Sequence, residues 1–167
     1  MKKIITTQRL FLREFNEKDD AFLFELMNSA GWIQNIGDRN IKTFEDAQAY
    51  LKKNYIAVYP TQGFGFYVME KKETGETIGM CGLIKRPELE HIDIGFALLP
   101  GFEKKGYAFE AASATLKYAT EVLNMQKILA ITIFTNKNSQ RLLEKIGLRF
   151  EKMITYKEEN VMLFSTT

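Results

Sequence analysis

The sequence has almost none of the residues that build disulfides, metal clusters or histidine-dependent active sites. Its 167 residues include one cysteine, Cys81, and one histidine, His91. The single cysteine excludes an internal disulfide and a cysteine zinc cluster. The single histidine removes most metal-site and catalytic-triad arrangements, so we expect no bound metal. We interpret Cys81 as a small core residue and not a nucleophile, and His91 as a surface residue.

Long apolar stretches and an excess of charge are also missing. No apolar run approaches ~18 residues, the length that spans a membrane, and the N-terminus has no signal-peptide core. The 23 basic and 21 acidic residues are too evenly balanced for a nucleic-acid or anionic-membrane binder. We expect a soluble, cytoplasmic protein, either monomer or homodimer. Repeats and linkers are absent from the sequence, so residues 1–167 are predicted to form one domain.

The apolar pattern predicts the order β-α-α-β-β-β-α-β-α-β-β. The predicted strands are residues 4–15, 63–70, 76–85, 91–99, 127–134, 148–156 and 161–164. The predicted helices begin at residues 16, 43, 106 and 136 or 138. Asn16 with Asp19, and Thr43 with Asp46, have the spacing of capping boxes, and the second helix should end near Tyr59, before a proline. We predict an α/β (α+β) fold: a mixed, mostly antiparallel sheet of about seven strands with four helices on both faces.

Residues 31–42 (GWIQNIGDRNIK) have no clean period and contain the only tryptophan, Trp32. We interpret Trp32 as a core residue. The role of the segment stays open between a substrate rim and a packed connector in which Asp38 and Arg39 form a surface pair.

Residues 98–112 (LLPGFEKKGYAFEAA) run from a strand through a glycine turn into a helix. Such a turn directs several free backbone N–H groups at one spot. Lys104 and Lys105 lie where the helix macrodipole is positive and lysine is unfavourable, and the usual capping residues are missing. A bound phosphate would satisfy the N–H groups and the lysines. The alternative is a solvated turn with Glu103 as the cap.

This segment resembles the acyl-CoA pyrophosphate loop of the GNAT superfamily of amine N-acetyltransferases, Gln/Arg-x-x-Gly-x-Gly/Ala. Gly106 and Ala108 match that pattern, whereas Glu103 departs from its first position. GYAFEA at 106–111 and TQRLFLR at 7–13 are similar to the branch containing the ribosomal-protein N-terminal acetyltransferases. NKNSQRLLEKIG at 136–147 resembles a second family motif, Asn-x-x-Ser-x-Arg-x-Leu-Glu-Lys-x-Gly. The resemblance covers the whole chain.

The resemblance implies acetyl-CoA as co-substrate and a position for each part of it. The strand that contains Phe96 should splay from the next strand and hydrogen-bond the pantetheine arm, with Asn136 contacting the arm from the other side. The loop around Gly106 should take the pyrophosphate. The residues expected to bind acetyl-CoA are Phe96, Ala97, Leu98, Lys104, Lys105, Gly106, Tyr107, Ala108, Asn136 and Ser139.

Two residues are candidates for the catalytic steps. Ser139 is expected either to donate to the leaving sulfur or to cap its helix, and the two roles are compatible. Many family members place a tyrosine acid one turn later, but this chain has Leu143 there, so Ser139 or water must serve. Asp93 shares a strand face with Gly95 and Ala97, where family members often carry an acid. It is a candidate general base, and the alternative is a structural carboxylate with ordered water as the base.

The resemblance therefore implies direct transfer of an acetyl group from acetyl-CoA to a primary amine, without an acyl-enzyme. The branch favours a protein N-terminal α-amine. A polyamine or an aminoglycoside-like amine is the alternative acceptor. A non-catalytic module that binds acyl-CoA is an alternative of a different class.

Overall fold

The computed structural model of the chain describes residues 2–167. One sheet contains eight strands in the order β1-β2-β3-β4-β5-β6-β8-β7. The strands are β1 (Lys3–Thr6), β2 (Leu10–Glu14), β3 (Phe66–Lys71), β4 (Thr77–Ile84), β5 (Asp93–Leu98), β6 (Leu129–Thr132), β7 (Arg149–Tyr156) and β8 (Glu159–Ser165). Strands β5 and β6 are parallel, and the other neighbours are antiparallel. The predicted mixed, mostly antiparallel sheet is confirmed.

Helices cover both faces of this sheet, as predicted, but residues 2–167 form six α-helices where four were expected. They are α1 (Asp20–Met27), α2 (Ala30–Asn35), α3 (Phe44–Leu51), α4 (Val58–Gln62), α5 (Tyr107–Glu121) and α6 (Lys137–Lys145). Helices α5 and α6 pack on one face, where Ala111 and Leu143 join the core around Met69 and Cys81. Helices α1, α2 and α3 pack on the other face, against Val68 and Met80. Adjacent residues of a strand point to opposite faces, so each strand serves both cores.

The single strand predicted for residues 4–15 is wrong, because the chain reverses within it. Strands β1 and β2 form an antiparallel hairpin. Thr7 makes the turn: its N–H donates to the carbonyl of Leu10 at 2.9 Å, and its hydroxyl accepts from the N–H of Leu10 at 3.0 Å. This hydroxyl offers the backbone a local alternative to extended pairing. The split accounts for eight strands where about seven were expected.

Both predicted capping boxes are present, at Asn16 with Asp19 and at Thr43 with Asp46. The second predicted helix does not end near Tyr59. Residues Lys52–Ile56 form a π-helical turn, and α4 then continues through Pro60. Pro60 is the third residue of α4, where a backbone N–H has no intrahelical acceptor to lose.

The segment 31–42 also differs from its prediction, because α2 occupies its first part. Trp32 is buried, as predicted. Asp38 does not pair with Arg39; its carboxylate lies 3.7 Å from the ammonium of Lys42. Burial of the indole in the core that α1 and α3 also line stabilises a helix that the sequence periodicity does not indicate.

Candidate active site

The two parallel strands at the centre of the sheet touch at one point and then separate. The register between β5 and β6 contains one pair, Asp93 with Leu129. Beyond Asp93, β5 stays paired with β4 through Leu98. One edge of β5 is therefore hydrogen-bonded, and the other edge presents backbone groups to an opening in the sheet. This is the splay expected around Phe96, Ala97 and Leu98.

A cleft of about 1160 Å³ runs through this opening and is lined from both faces of the sheet. The structure brings together nearly all the predicted site residues along it: Asp93, Phe96, Ala97, Leu98, Lys104, Gly106, Tyr107, Ala108, Asn136 and Ser139. Lys105 is not among the lining residues. Its ammonium lies 5.9 Å from the centroid of the Phe102 ring, and its carbonyl accepts from Arg9. The binding roles of all these residues stay predictions.

The turn before α5 has the geometry expected for an anion site. Lys104 and Gly106 have positive φ angles of 60° and 82°. Gly106 is the N-cap of α5 and provides no side-chain cap, so Glu103 does not cap the helix. The first N–H groups of α5 have no side-chain capping partner at this end, and a helix N-terminus favours negative charge. A left-handed residue followed by a helix start aims successive N–H groups at one place.

Helix α6 lies within the second motif, residues 136–147. Asn136 is the N-cap, and its side-chain oxygen accepts from the N–H of Ser139 at 3.2 Å. Ser139 is the third residue of the helix, so the interpretation of Ser139 as the cap is wrong. It lines the cleft and is half-buried. Leu143, one turn later, is fully buried in the core and leaves no hydroxyl at that position.

Asp93 is the most deeply buried acid in the cleft, with an exposed fraction of 1%. Arg86 Nε lies 3.0 Å and 3.1 Å from its two carboxylate oxygens, and Arg86 Nη1 donates to the hydroxyl of Tyr156 at 2.9 Å. Burial raises the pKa of Asp93 to about 6, although the charge and hydrogen bonds of Arg86 act to lower it. A carboxylate with this pKa is ionised at neutral pH and is a better proton acceptor than an exposed aspartate.

Sequence reasoning missed Arg86 and Tyr156. A signal for Arg86 existed in the register of the β4–β5 hairpin. Ile84 pairs with Asp93, and cross-strand partners share a face of the sheet. Arg86 follows two residues after Ile84, so it continues on that face. No comparable local signal indicates Tyr156, which is the last residue of β7.

The wall of the cleft on the α2–α3 side is aromatic and carries several cations. We call it the aromatic wall; its lining residues are Trp32, Arg39, Tyr50, Lys53, Tyr55, Phe66 and Arg86. Trp32 Nε1 is the one buried side-chain N or O atom without a hydrogen-bond partner in the range 2–167. Burial raises the pKa of Tyr55 well above its ordinary value, and the charges of Arg39 and Arg86 act against that rise. Both guanidinium groups therefore lie within electrostatic reach of the Tyr55 hydroxyl.

The single cysteine and the single histidine are not among the residues that line the cleft. Cys81 is fully buried, its sulfur lies 3.4 Å from the hydroxyl oxygen of Thr115, and burial raises the pKa of its thiol to about 12. His91 is exposed. Both placements confirm the predictions. Residues 2–167 contain no group of three or more His, Cys, Asp or Glu side chains placed to hold a metal ion. None of the helices formed by these residues has the length and apolar character that crossing a membrane requires.

Comparison with known proteins identifies the family. Residues 9–149 match the family model described as the acetyltransferase (GNAT) domain. The chain is 33% identical over 147 residues to the protein named "uncharacterized N-acetyltransferase YnaD" of Bacillus subtilis (strain 168). That match covers 88% of this chain and 83% of YnaD. The chain therefore belongs to the GNAT acetyltransferases.

Solved structures show the same fold over the whole length. An acetyltransferase from Agrobacterium tumefaciens superposes with a TM-score of 0.85 at 24% identity, covering 100% of this chain and 95% of that one. RimL, a ribosomal L7/L12 α-N-protein acetyltransferase solved in complex with CoA, superposes with a TM-score of 0.84 at 16% identity, covering 98% and 97%. At these identities the likeness establishes the fold, and the acceptor has to be argued from the cleft.

Proposed function

We propose that the protein transfers the acetyl group of acetyl-CoA directly to a primary amine, and that its acceptor is the α-amine of a peptide or protein N-terminus. In this reaction the amine nitrogen forms a bond to the acyl carbon, the bond from that carbon to sulfur breaks, and one amine proton leaves. The products are the N-acetylated amine and CoA thiol. The observation that carries the proposal is the open edge of β5, which has a buried carboxylate at one end and the Gly106 turn at the other.

The residues of the cleft fit acetyl-CoA. The positive φ of Gly106, which glycine adopts without strain, and the uncapped start of α5 suit a diphosphate, because the free backbone N–H groups of this turn can donate to it. The free edge of β5 suits the amide groups of the pantetheine arm. Asn136 borders the cleft with a side-chain N–H₂ group that its capping role does not use. When bound, the thioester supplies the activated acetyl group.

Two side chains of the cleft, Asp93 and Ser139, accept and donate the protons of the reaction. The carboxylate of Asp93 accepts the amine proton directly or through one water, since it is ionised above a pKa of about 6. Ser139 lines the cleft and donates to the departing sulfur. A backbone N–H on the open edge of β5 faces the acyl oxygen as negative charge develops on it.

The aromatic wall supports a peptide end over a polyamine. Asp38 pairs with Lys42 and Asp93 pairs with Arg86, so two acids near this wall are already neutralised. Arg39 and Lys53 add positive charge to the wall, which repels a polycation. The buried Trp32 Nε1–H requires an acceptor. A protonated polyamine has only donors, whereas a peptide end has carbonyl oxygens.

An acceptor panel tests the proposal. The amines are a lysine-free peptide with a free α-amine, an N-formylated peptide with one lysine, spermidine and an aminoglycoside, each assayed by mass spectrometry for acetylated product. We expect the highest kcat/KM for the free α-amine. A higher value for spermidine or the aminoglycoside would replace the proposed acceptor. Calorimetric binding of CoA without turnover of any amine would show a binding module, and absence of CoA binding would overturn the assignment itself.

A further inference from the structure

The turn between β1 and β2 is tied to the start of α5 by one carboxylate. Glu110 Oε1 accepts from the Thr7 hydroxyl at 2.6 Å and from the backbone N–H of Arg9 at 2.7 Å. Glu110 Oε2 accepts from Arg9 Nε at 2.7 Å. Burial acts to raise the pKa of Glu110, but the bonds from Thr7 and Arg9 outweigh it and lower that pKa. The carboxylate is therefore ionised and fully engaged at neutral pH.

The guanidinium of Arg9 contacts three consecutive residues of the turn that precedes α5. Arg9 Nη1 donates to the carbonyl of Lys105 at 3.0 Å. Arg9 Nη2 lies 3.2 Å from the position that a Cβ would take at Gly106. The guanidinium carbon lies 4.3 Å from the centroid of the Tyr107 ring. Gly106 and Tyr107 line the cleft and Arg9 does not, so Arg9 holds the turn from behind.

This contact fixes the direction of one backbone donor. In a trans peptide the carbonyl of one residue and the N–H of the next point in opposite directions, and the described residues contain no cis peptide. Because Arg9 holds the Lys105 carbonyl on the rear side, the N–H of Gly106 points toward the cleft. Lys104 and Gly106 both have positive φ, and α5 has no side-chain cap. The turn has little local stabilisation of its own and depends on contacts from outside.

We propose that Arg9 and Glu110 form a clamp that pre-orients the Gly106 N–H for the diphosphate of acetyl-CoA. The clamp rests on the proposed use of acetyl-CoA. Arg9 and Glu110 are positioning residues and do not contact the substrate. Glu110 orients Arg9 by its bond to Nε, and Arg9 orients the peptide plane between Lys105 and Gly106. Without them the turn must be ordered by the substrate itself, which lowers affinity.

The experiment compares two acetyl donors that differ in the diphosphate. Acetyl-CoA carries the nucleotide and diphosphate, whereas S-acetylpantetheine has the same thioester without them. For Arg9→Gln and Glu110→Gln we expect kcat/KM with acetyl-CoA to fall about tenfold or more, the range of one charge-assisted hydrogen bond. We expect kcat/KM with S-acetylpantetheine to stay within about twofold. Calorimetry should show the same loss for CoA.

Lys127→Gln is the matched control. Lys127 pairs with Glu151 at 3.0 Å in a similarly exposed ion pair away from the cleft. Lys127→Gln should leave kcat/KM with both acetyl donors unchanged. Arg9→Lys keeps the charge but not the fork that reaches Glu110 and the Lys105 carbonyl together, so it should restore the acetyl-CoA rate only in part.

Several results would overturn the clamp. An equal loss of kcat/KM with both donors would show a general structural role for the ion pair. Wild-type kcat/KM with both donors in folded Arg9→Gln would show that the ion pair has no role. A wild-type enzyme that uses both donors equally well would show that the diphosphate contributes no binding at this turn. If the wild type fails to bind CoA at all, the proposed function fails first, and that outcome is distinct from the others. Thermal unfolding of each variant shows that it is folded, and Arg9→Lys replaces Arg9→Gln if the latter is not.

Discussion

The buried carboxylate of Asp93 should produce a bend in the pH dependence of acetylation. Its pKa of about 6 lies in an accessible range, and the residue has an exposed fraction of 1%. If Asp93 accepts the amine proton, kcat/KM requires the ionised form. The perturbation is Asp93→Asn, which keeps the shape of the side chain and removes its basicity.

The magnitude follows from the pKa. With a value of about 6, about nine-tenths of the side chain is ionised at pH 7 and about one-tenth at pH 5. Protonation of Asp93 should therefore lower kcat/KM about tenfold as the pH falls from 7 to 5. Protonation of the acceptor amine adds its own slope, but that slope is constant well below the amine pKa. Asp93 thus adds one unit to the slope of log kcat/KM against pH below about pH 6.

Arg86 provides a second perturbation with a predicted sign. Its charge and hydrogen bonds act to lower the pKa of Asp93 against the effect of burial. Arg86→Gln removes this influence, so the pKa of Asp93 should rise above 6. The bend should move to higher pH by about one unit or more, the usual effect of a nearby opposite charge. Activity at pH 7 should fall as a result, while activity at pH 9 should recover.

Chromatographic quantification of acetylated peptide between pH 5 and 9 measures these profiles. Colour reagents for thiols would add a pH dependence of their own. Glu73→Gln, in the exposed turn between β3 and β4, changes a carboxylate to an amide outside the cleft and should reproduce the wild-type bend. The reasoning is refuted if the wild type shows no added slope down to pH 5, or if Asp93→Asn keeps the bend. Asp93 would then be structural, and water would deprotonate the amine.

Three further predictions concern the loop, the leaving group and the core. Gly106→Val should abolish measurable CoA binding by calorimetry, whereas Gly75→Val, with a similar positive φ but in open space outside the cleft, should bind normally. Ser139→Ala should lower kcat about 100-fold with little change in CoA affinity, and unchanged kcat would remove Ser139 from the mechanism. Arg13→Met should lower the free energy of unfolding by about 3–5 kcal/mol in denaturant titration, because the buried carboxylate of Asp19, 2.9 Å away, loses its partner.

Much of the fold could be predicted because its signals are local. The capping boxes at Asn16 and Thr43 each involve side chains three residues apart, and both form as expected. The errors arose where a contact distant in sequence decides the structure. Helix α2 lacks a side-chain cap bond and is stabilised by the burial of Trp32. The reversal at Thr7 has local bonds to Leu10, and it is also joined to Glu110, 103 residues away.

In the candidate site, too, local features could be predicted from the sequence and contacts between distant residues could not. Strand parity placed Asp93 on one strand face with Gly95 and Ala97, and the glycine motif placed Gly106 at the start of a helix. The partners of these residues could not be predicted from spacing alone. Tyr156 reaches Arg86 from β7 across 70 residues, and Arg9 reaches Lys105 across 96. Such pairs depend on the final sheet order, which the local pattern leaves undetermined.

Asp93 lies where the fully paired part of the sheet meets the open edge of β5. Its backbone pairs with Ile84 of β4 on one side and with Leu129 of β6 on the other, so it belongs to the last fully paired level of the sheet. The next residues of β5 keep only the β4 side. A carboxylate anchored on both sides can hold its distance to the substrate, while the adjacent free edge can bind that substrate through backbone groups. Any change that extends the pairing of β5 with β6 would stabilise the sheet and close the cleft. If the cleft binds acetyl-CoA as proposed, the gap in the sheet is required for function and opposes stability.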